Sequence, residues 1–245
     1  MNPQLTIVIP ARNEAWNLPR LLTSLSRQDC PLLQHTKVYV ADANSTDNTV
    51  AAAMAFADRL NITVIPGGLP SVGRNSGARL ADTRYVLFLD ADVELTDRTM
   101  LRRALAEMQK RELHCMTTSI GCTFGLFRDD LLFAANNVAQ RIASVFTPFG
   151  TGMFLLFDKA EFDRLGGFHE QALYAEDYLL TKQVTVRRFG ILPGKIYTSN
   201  RRFQKMGHAR IAFMFLRTAL NTWNPNYFLR DQGYWKEPVQ QKPAA

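Results

Sequence analysis

The chain has little with which to cross-link itself. Its 245 residues include three cysteines, Cys30, Cys115 and Cys122. They are odd in number and lack CxxC spacing, which argues against a disulfide framework or a zinc site and fits a reducing cytoplasm. No apolar run approaches the roughly 18 residues of a membrane-crossing helix. Met1-Asn2-Pro3-Gln4 leads into a strand without a basic n-region and apolar h-region, so no signal peptide is expected. Linkers are also missing. No Pro/Gly/Ser-rich tract, charge block or repeat divides the chain before the polar tail Lys236 to Ala245, which reads as disordered, and the length suits one large domain or two small ones. Acidic residues are absent between Asp177 and Asp231, an interval that holds ten Lys or Arg. The net charge of +7 is therefore concentrated toward the carboxyl end. Such a field attracts polyphosphates, nucleic acid or an anionic membrane, a plain solvated surface being the alternative. With no nucleic-acid motif in view, nucleic acid is not an expected partner.

The organising stretch is Tyr85-Val86-Leu87-Phe88-Leu89-Asp90-Ala91-Asp92. An unbroken apolar run suits a central parallel strand covered on both faces, with the two carboxylates at its carboxyl end. Ligands bind at that edge of open α/β sheets. Two carboxylates around one small residue can share a hard divalent cation whose shell is completed by substrate phosphates, although an Asp after a strand is as readily a helix cap. Leu5 to Ala11, Lys37 to Asp42 and Asn61 to Pro66 read as further strands. Asn17 caps a helix to about Gln28, Asp47 one from Asn48 to Leu60, and Thr96-Asp97 one to about Glu112. Arg12-Asn13-Glu14 is polar where a plain turn needs only glycine, and Asp42 lies too far from the next helix to be an obvious cap. Small residues in Gly73-Arg74-Asn75-Ser76-Gly77-Ala78 let a helix start approach another group and, beside Arg74, offer an anion site without Walker spacing. Repeated strand–helix alternation implies a doubly wound sheet.

The second half is less regular. Cys115 to Gly121 reads as a strand, and Asp129 to Phe146 as a helix whose wide apolar face is either core or the wall of a groove. Gly150-Thr151-Gly152 precedes the strand Met153 to Phe157 with room for a ligand at the backbone. After the turn at Leu165-Gly166-Gly167-Phe168, Glu176-Asp177 opens a helix to about Arg188, where paired carboxylates also suit the helix dipole.

In order, Ile7-Val8-Ile9-Pro10-Ala11-Arg12-Asn13-Glu14, Ala41-Asp42-Ala43-Asn44-Ser45-Thr46-Asp47, Gly73-Arg74-Asn75-Ser76-Gly77, Leu89-Asp90-Ala91-Asp92 and Gly166-Gly167-Phe168 leading to Glu176-Asp177 form a far more specific set than any member. The set resembles the family 2 glycosyltransferases over roughly residues 5 to 205. The resemblance implies a single α/β domain of GT-A type, with a mostly parallel central sheet and helices on both faces. It implies a nucleotide-sugar-binding half to about residue 112, an acceptor half to about 207, and then a basic aromatic segment, 208–235. Pro10, Ala11, Glu14 and Asp42 would hold the nucleoside of a nucleotide diphosphate sugar, with Arg74 at the nucleotide pocket and Asp90 against the ribose. Asp92, with Asp90, would ligate Mn²⁺ or Mg²⁺ on the diphosphate, and Arg201 and Arg202 would lie beside it. Asp177, next to Glu176, would be the base that deprotonates an acceptor hydroxyl, giving inversion. His208 would be a further metal ligand or merely structural. The family's second strand often ends Asp-Asp-Gly-Ser, whereas here it is Asp42-Ala43-Asn44-Ser45, which leaves the loop shape open. No Gln-x-x-Arg-Trp stretch of the processive synthases is present, so a single sugar addition is expected.

Two other classes compete. A sugar nucleotidyltransferase wants a glycine-rich loop after the first strand, where this chain has Pro10-Ala11-Arg12-Asn13-Glu14. A non-catalytic nucleotide-sugar or membrane-surface module would not need every carboxylate. From His208 to Trp235 the chain interleaves Phe213, Phe215, Trp223, Tyr227, Phe228, Tyr234 and Trp235 with Arg210, Arg217 and Arg230. Residues 209 to 222 read as a helix that either packs on the domain or lies at an anionic membrane surface. The second option makes the protein a cytoplasmic enzyme peripheral to the membrane, with a lipid or lipid-linked acceptor.

Overall fold

The computed structural model describes residues 4–123, 125–230 and 232. The expected disordered tail, Tyr234 and Trp235 lie outside the described residues. Among the described residues eight strands form one sheet: β1 (Leu5–Ala11), β2 (Lys37–Asp42), β3 (Asn61–Pro66), β4 (Tyr85–Leu89), β5 (Val93–Glu94), β6 (Cys115–Cys122), β7 (Phe154–Asp158) and β8 (Phe189–Thr198). Their order is β3-β2-β1-β4-β7-β6-β8-β5. Pairing is parallel from β3 through β4 and between β6 and β8, and antiparallel where β7 and β5 enter. The helices are α1 (Leu18–Ser26), α2 (Thr49–Met54), α3 (Pro70–Arg79), α4 (Met100–Lys110), α5 (Phe127–Ala143), α6 (Lys159–Arg164), α7 (Glu176–Thr181), α8 (Arg201–Met206), α9 (His208–Ala219) and α10 (Pro225–Phe228).

The sheet is buried on both faces because its central strands are mostly apolar on both, β4 reading Tyr-Val-Leu-Phe-Leu with every position buried. Ile7, Ile9, Leu87, Leu89, Phe154 and Leu156 join one core with α1 and α4. Val8, Val86, Phe88, Leu155 and Phe157 join the other with α3, α6 and α7. Phe88 anchors this second core, its ring 5.1 Å from Phe162 and 4.9 Å from Phe168.

Two antiparallel pairings determine where the site forms. Leu89 of β4 pairs with Phe154 of β7, so the Gly150-Thr151-Gly152 turn ahead of β7 lies at the end of β4 that carries Asp90. Val93 of β5 pairs with Thr198 of β8, so the chain leaves β8 toward Arg201 beside Asp92. Neither β5 nor β8 was expected from the sequence.

Several boundaries differ from expectation. α2 stops at Met54 and α7 at Thr181, the latter followed by a 3₁₀ turn at Val186–Arg188. α1 ends at Ser26, and its Asn17 makes no side-chain cap bond; its amide N–H donates to Glu14 at 2.7 Å. Asp97 does bind the N–H of Thr99, but α4 begins only at Met100. α3 begins at Pro70, so Gly73 and Arg74 lie inside the helix rather than at its amino end. The apolar face of α5 is neither core nor groove wall: Phe127, Leu131, Val138 and Ile142 are exposed, whereas Asp129, Asn137 and Gln140 are buried.

Candidate active site

At the carboxyl edge of β1 and β2, Pro10 pairs with Ala41 and Ala11 with Asp42. The polar loop after β1 is explained by stitching to its neighbour. Asn13, at φ 54, accepts the Thr46 N–H at 2.8 Å, and its own N–H donates to Ser45 Oγ at 2.9 Å. The Glu14 N–H donates to Thr49 Oγ1 at 2.8 Å. Asp47 accepts from the N–H groups of both Ala15 and Thr49. Asp42 Oδ2 accepts from the Ser45 N–H at 3.1 Å, while Oδ1 is buried with no hydrogen-bond partner among the described residues. That leaves an acceptor atom at the edge of the sheet, where a ligand N–H can supply what the fold does not.

α3 presses against β1 and β2, its Gly73 so close that an added Cβ would lie 3.1 Å from the Ala41 Cβ. The small residues thus serve contact between helix and strands. This closeness carries Arg74 inward, where it is buried. Its guanidinium bonds Asp90 and Glu176, each at 2.5 Å, and lies 5.2 Å from the centre of the Phe168 ring. Burial acts to lower the Arg74 pKa, but Asp90 and Glu176 outweigh it and leave it raised. Asp90 is itself shifted upward, burial outweighing the attraction of Arg74.

Arg201 makes a second ion cluster, bonding Glu14 at 2.5 and 3.0 Å and reaching Asp92 at 3.1 Å. Burial lowers the Arg201 pKa and the two carboxylates more than restore it. Glu14 is raised, burial winning over Arg201. Arg202 is lowered by burial, which Asp92 and Asp90 only partly offset.

Asp177 lies at the start of α7, after Ala175 in the left-handed region at φ 49. Its Oδ2 accepts from the Gly152 N–H at 2.7 Å and its Oδ1 from the Tyr178 N–H at 2.7 Å. Burial, reinforced by neighbouring Glu176, pushes its carboxyl up to about 7. Gly152 must be small, since an added Cβ would meet the Arg74 guanidinium 2.9 Å from Cζ. The roominess expected of this glycine is thus used by a side chain of the protein itself. Asn75 reads the Gly167-Phe168 turn with both ends of its amide, donating to the Phe168 carbonyl at 2.8 Å and accepting the Phe168 N–H at 2.9 Å. Sequence reasoning assigned no role to Asn75. Its position after a buried Arg in a glycine-bearing helix is the only hint.

Asp42, Glu14, Arg74, Asp90, Asp92, Glu176, Asp177 and Arg201 are thus linked around one edge of the sheet. His208 belongs to a different group: its Nε2 bonds Asp129, and its ring stacks on Phe203 at 5.3 Å. Bonds from Asn200 and His208 outweigh burial and hold Asp129 below the usual carboxylate range. Among the described residues no three His, Cys, Asp or Glu side chains gather as a ready metal ligand set. Asp90 and Asp92 nevertheless offer hard oxygen donors on adjoining sides of Ala91, each now matched by an arginine. Such a set suits Mg²⁺ or Mn²⁺ if diphosphate oxygens and water supply the remaining positions.

A family model described as glycosyl transferase family 2 matches residues 6–159. The chain belongs to glycosyl transferase family 2. The 4,4'-diaponeurosporenoate glycosyltransferase of Staphylococcus haemolyticus is 25% identical over 186 residues, covering 73% of this chain and 46% of that protein. The validoxylamine A glucosyltransferase of Streptomyces hygroscopicus is 39% identical over 95 residues, 37% of this chain and 22% of that protein. The family member described here therefore spans less than half the length of either relative. Among solved structures, S. aureus TarS in complex with UDP-GlcNAc has a TM-score of 0.64 at 23% identity, covering 80% of this chain and 58% of that one. The mannosyltransferase PcManGT from Pyrobaculum calidifontis, in complex with GDP-Man and Mn²⁺, also has a TM-score of 0.64, at 22% identity over 89% of this chain and 65% of that one. These likenesses establish the GT-A type fold. Among the described residues no helix is long and apolar enough to cross a membrane.

Proposed function

We propose that this protein transfers a single sugar from a nucleotide diphosphate sugar to an acceptor hydroxyl with inversion at the sugar carbon. The observation that carries the reading is Asp177: a half-buried carboxyl shifted to about 7, fixed by two backbone N–H groups, at the sheet edge that also holds Asp90 and Arg74. A base of that pKa exchanges a proton readily near neutrality. In the transfer step the acceptor oxygen attacks the anomeric carbon while its proton passes to Asp177. The bond from that carbon to the diphosphate oxygen breaks, and its electron pair leaves with the nucleoside diphosphate. Glu176 holds Arg74 beside the base.

On the donor side, Pro10, Ala11, Glu14 and Asp42 take the nucleoside, Asp42 offering its free oxygen to the base edge, and Asp90 faces the ribose. Arg201 and Arg202 provide positive charge for the diphosphate, which Arg201 does by releasing Glu14 and Asp92. Asp92, with Asp90, would hold Mn²⁺ or Mg²⁺, which when bound neutralises charge on the leaving group. His208 joins them only by giving up Asp129. TarS and PcManGT, whose solved structures contain UDP-GlcNAc or GDP-Man, support a nucleotide-sugar donor, and the Mn²⁺ in the latter supports the metal.

The acceptor is a lipid or lipid-linked alcohol, and the enzyme works peripherally at the cytoplasmic face of a membrane. What supports this is α9, which packs Ile211 and Met214 onto the domain yet leaves Phe213 and Leu216 exposed, as are Leu220 and Trp223 just beyond it. The deciding experiment is hydrolysis of UDP-, GDP- and dTDP-sugars with and without Mn²⁺. Turnover of one donor that depends on Mn²⁺ is the expected result; neither turnover nor binding of any donor overturns the proposal.

A further inference from the structure

α5 is amphipathic with its faces reversed. Its buried side is polar: Asn137 donates to the Ile120 carbonyl at 2.8 Å and accepts the Ile120 N–H at 2.9 Å, Asp129 binds Asn200 and His208, and Gln140 is fully buried. The outward side is apolar. Phe127, Leu131, Val138, Ile142, Val145 and Phe146 are each between 55 and 84% exposed. From Phe127 to Ile142 the stripe follows helical spacing and runs about 22 Å at 1.5 Å per residue, and Val145 and Phe146 continue it in the turn after α5. A contiguous apolar surface of this length on a water-facing helix marks an interaction site.

The charges at its borders indicate the occupant. Exposed Arg128 and Arg141 flank the stripe on opposite sides, and Asp130 is the one exposed acid on the helix. His208, at the start of α9, bonds Asp129 in the first turn of α5, so both helices leave from one junction. α9 adds exposed Arg210 and Arg217 within the acid-free interval. A second copy would set these arginines against their counterparts. An anionic bilayer meets both needs, with Phe and aliphatic groups below the headgroups and arginines among the phosphates.

We propose that α5 is a membrane-seating helix, embedding its apolar stripe in the interfacial layer of an anionic bilayer. The inference builds on the lipid-acceptor reading, to which it adds a second and longer contact at the other end of the α5–α9 junction. A protein held at both helices would present the Asp177 edge to the membrane in a fixed orientation. Lipid-borne acceptor hydroxyls would then reach the base by diffusion in the plane of the bilayer.

The test uses the full chain and vesicles of phosphatidylcholine, with or without phosphatidylglycerol. Wild type should sediment with the anionic vesicles, and Leu131→Glu combined with Ile142→Glu should weaken that binding by about tenfold or more. Because both positions are exposed, the double variant should keep the wild-type circular dichroism spectrum and rate of donor hydrolysis in solution. Leu131→Ile with Ile142→Leu should bind as wild type does. Vesicle binding unchanged by the charged pair overturns the proposal. So does self-association of the wild type that the charged pair abolishes in the absence of lipid, which would assign the stripe to a second copy. Hydrolysis failing in every variant while vesicle binding follows this pattern would sink the transferase reading and leave the seating helix intact.

Discussion

Asp177 is the residue at which burial becomes chemistry. Its carboxyl, at about 7, is protonated below that pH and able to accept a proton above it. The value of kcat/KM should therefore rise with pH through about 7 and level off on the alkaline side, as a rate–pH profile will show. The same shift weakens the fold as pH climbs, because the folded carboxyl holds its proton through a range in which the unfolded one has released it. Asp177→Asn should leave donor binding nearly intact and lower transfer by about 10²-fold or more, removing the rising limb. If Glu176→Gln proves to be the inactive variant and Asp177→Asn the active one, the roles are exchanged. Asp92→Ala should abolish Mn²⁺-dependent turnover while freeing Arg201 from one of its two carboxylates. A Mn²⁺ titration giving the wild-type rate at limiting metal would overturn that assignment.

Elements matter through the side chains that tie them together. Asn75 fastens α3 to the turn ahead of α7, and Asn75→Ala would leave the buried Phe168 N–H and carbonyl without those partners. It should cost about 1–3 kcal/mol in a urea titration. Gly152→Ala should fold but lose transfer activity, since the new methyl group meets the Arg74 guanidinium and either displaces it or moves residue 152, whose N–H holds Asp177. How far the sequence reveals such ties depends on their range. The central strands and the carboxylates at their ends are legible because unbroken apolar runs have one explanation, burial on both faces. β8 escapes notice because Pro193-Gly194 interrupts its pattern and the ladder shifts register between Thr118 and Ser119. β5 is two residues long and carries no periodicity at all. Since Arg201 reaches Asp92 through those two strands, that ion pair cannot be read from local pattern. α5 misleads for another reason: an apolar stripe states its period but not which way it faces.

At the scale of the whole molecule, the donor should act as a structural ligand. Anything that binds only the folded state stabilises it, by about 2.7 kcal/mol at a hundred times Kd. For a domain of this size that corresponds to a rise of roughly 5–10 °C in Tm. Thermal melts with the cognate nucleotide sugar and Mn²⁺ should show it, and Asp92→Ala should remove the part that needs the metal. A flat response to every nucleotide sugar would argue that the edge carboxylates are structural.

The two arginine clusters also set a timetable for the newborn chain. Arg74 meets Glu176 across 102 positions, and Arg201 meets Glu14 across 187. A polypeptide emerging from the ribosome has its first three strands and their carboxylates long before it has the cation that answers Glu14. Until residue 201 is free to fold back, Glu14 and Asp92 lack that counter-charge, and contacts of such long range close slowly. The last part of the sheet edge to be synthesised is thus the part that completes it, and competence for the donor should arrive late and all at once. Ribosome-bound chains halted before and after Arg201 clears the exit tunnel would show this as a step in nucleotide-sugar capture.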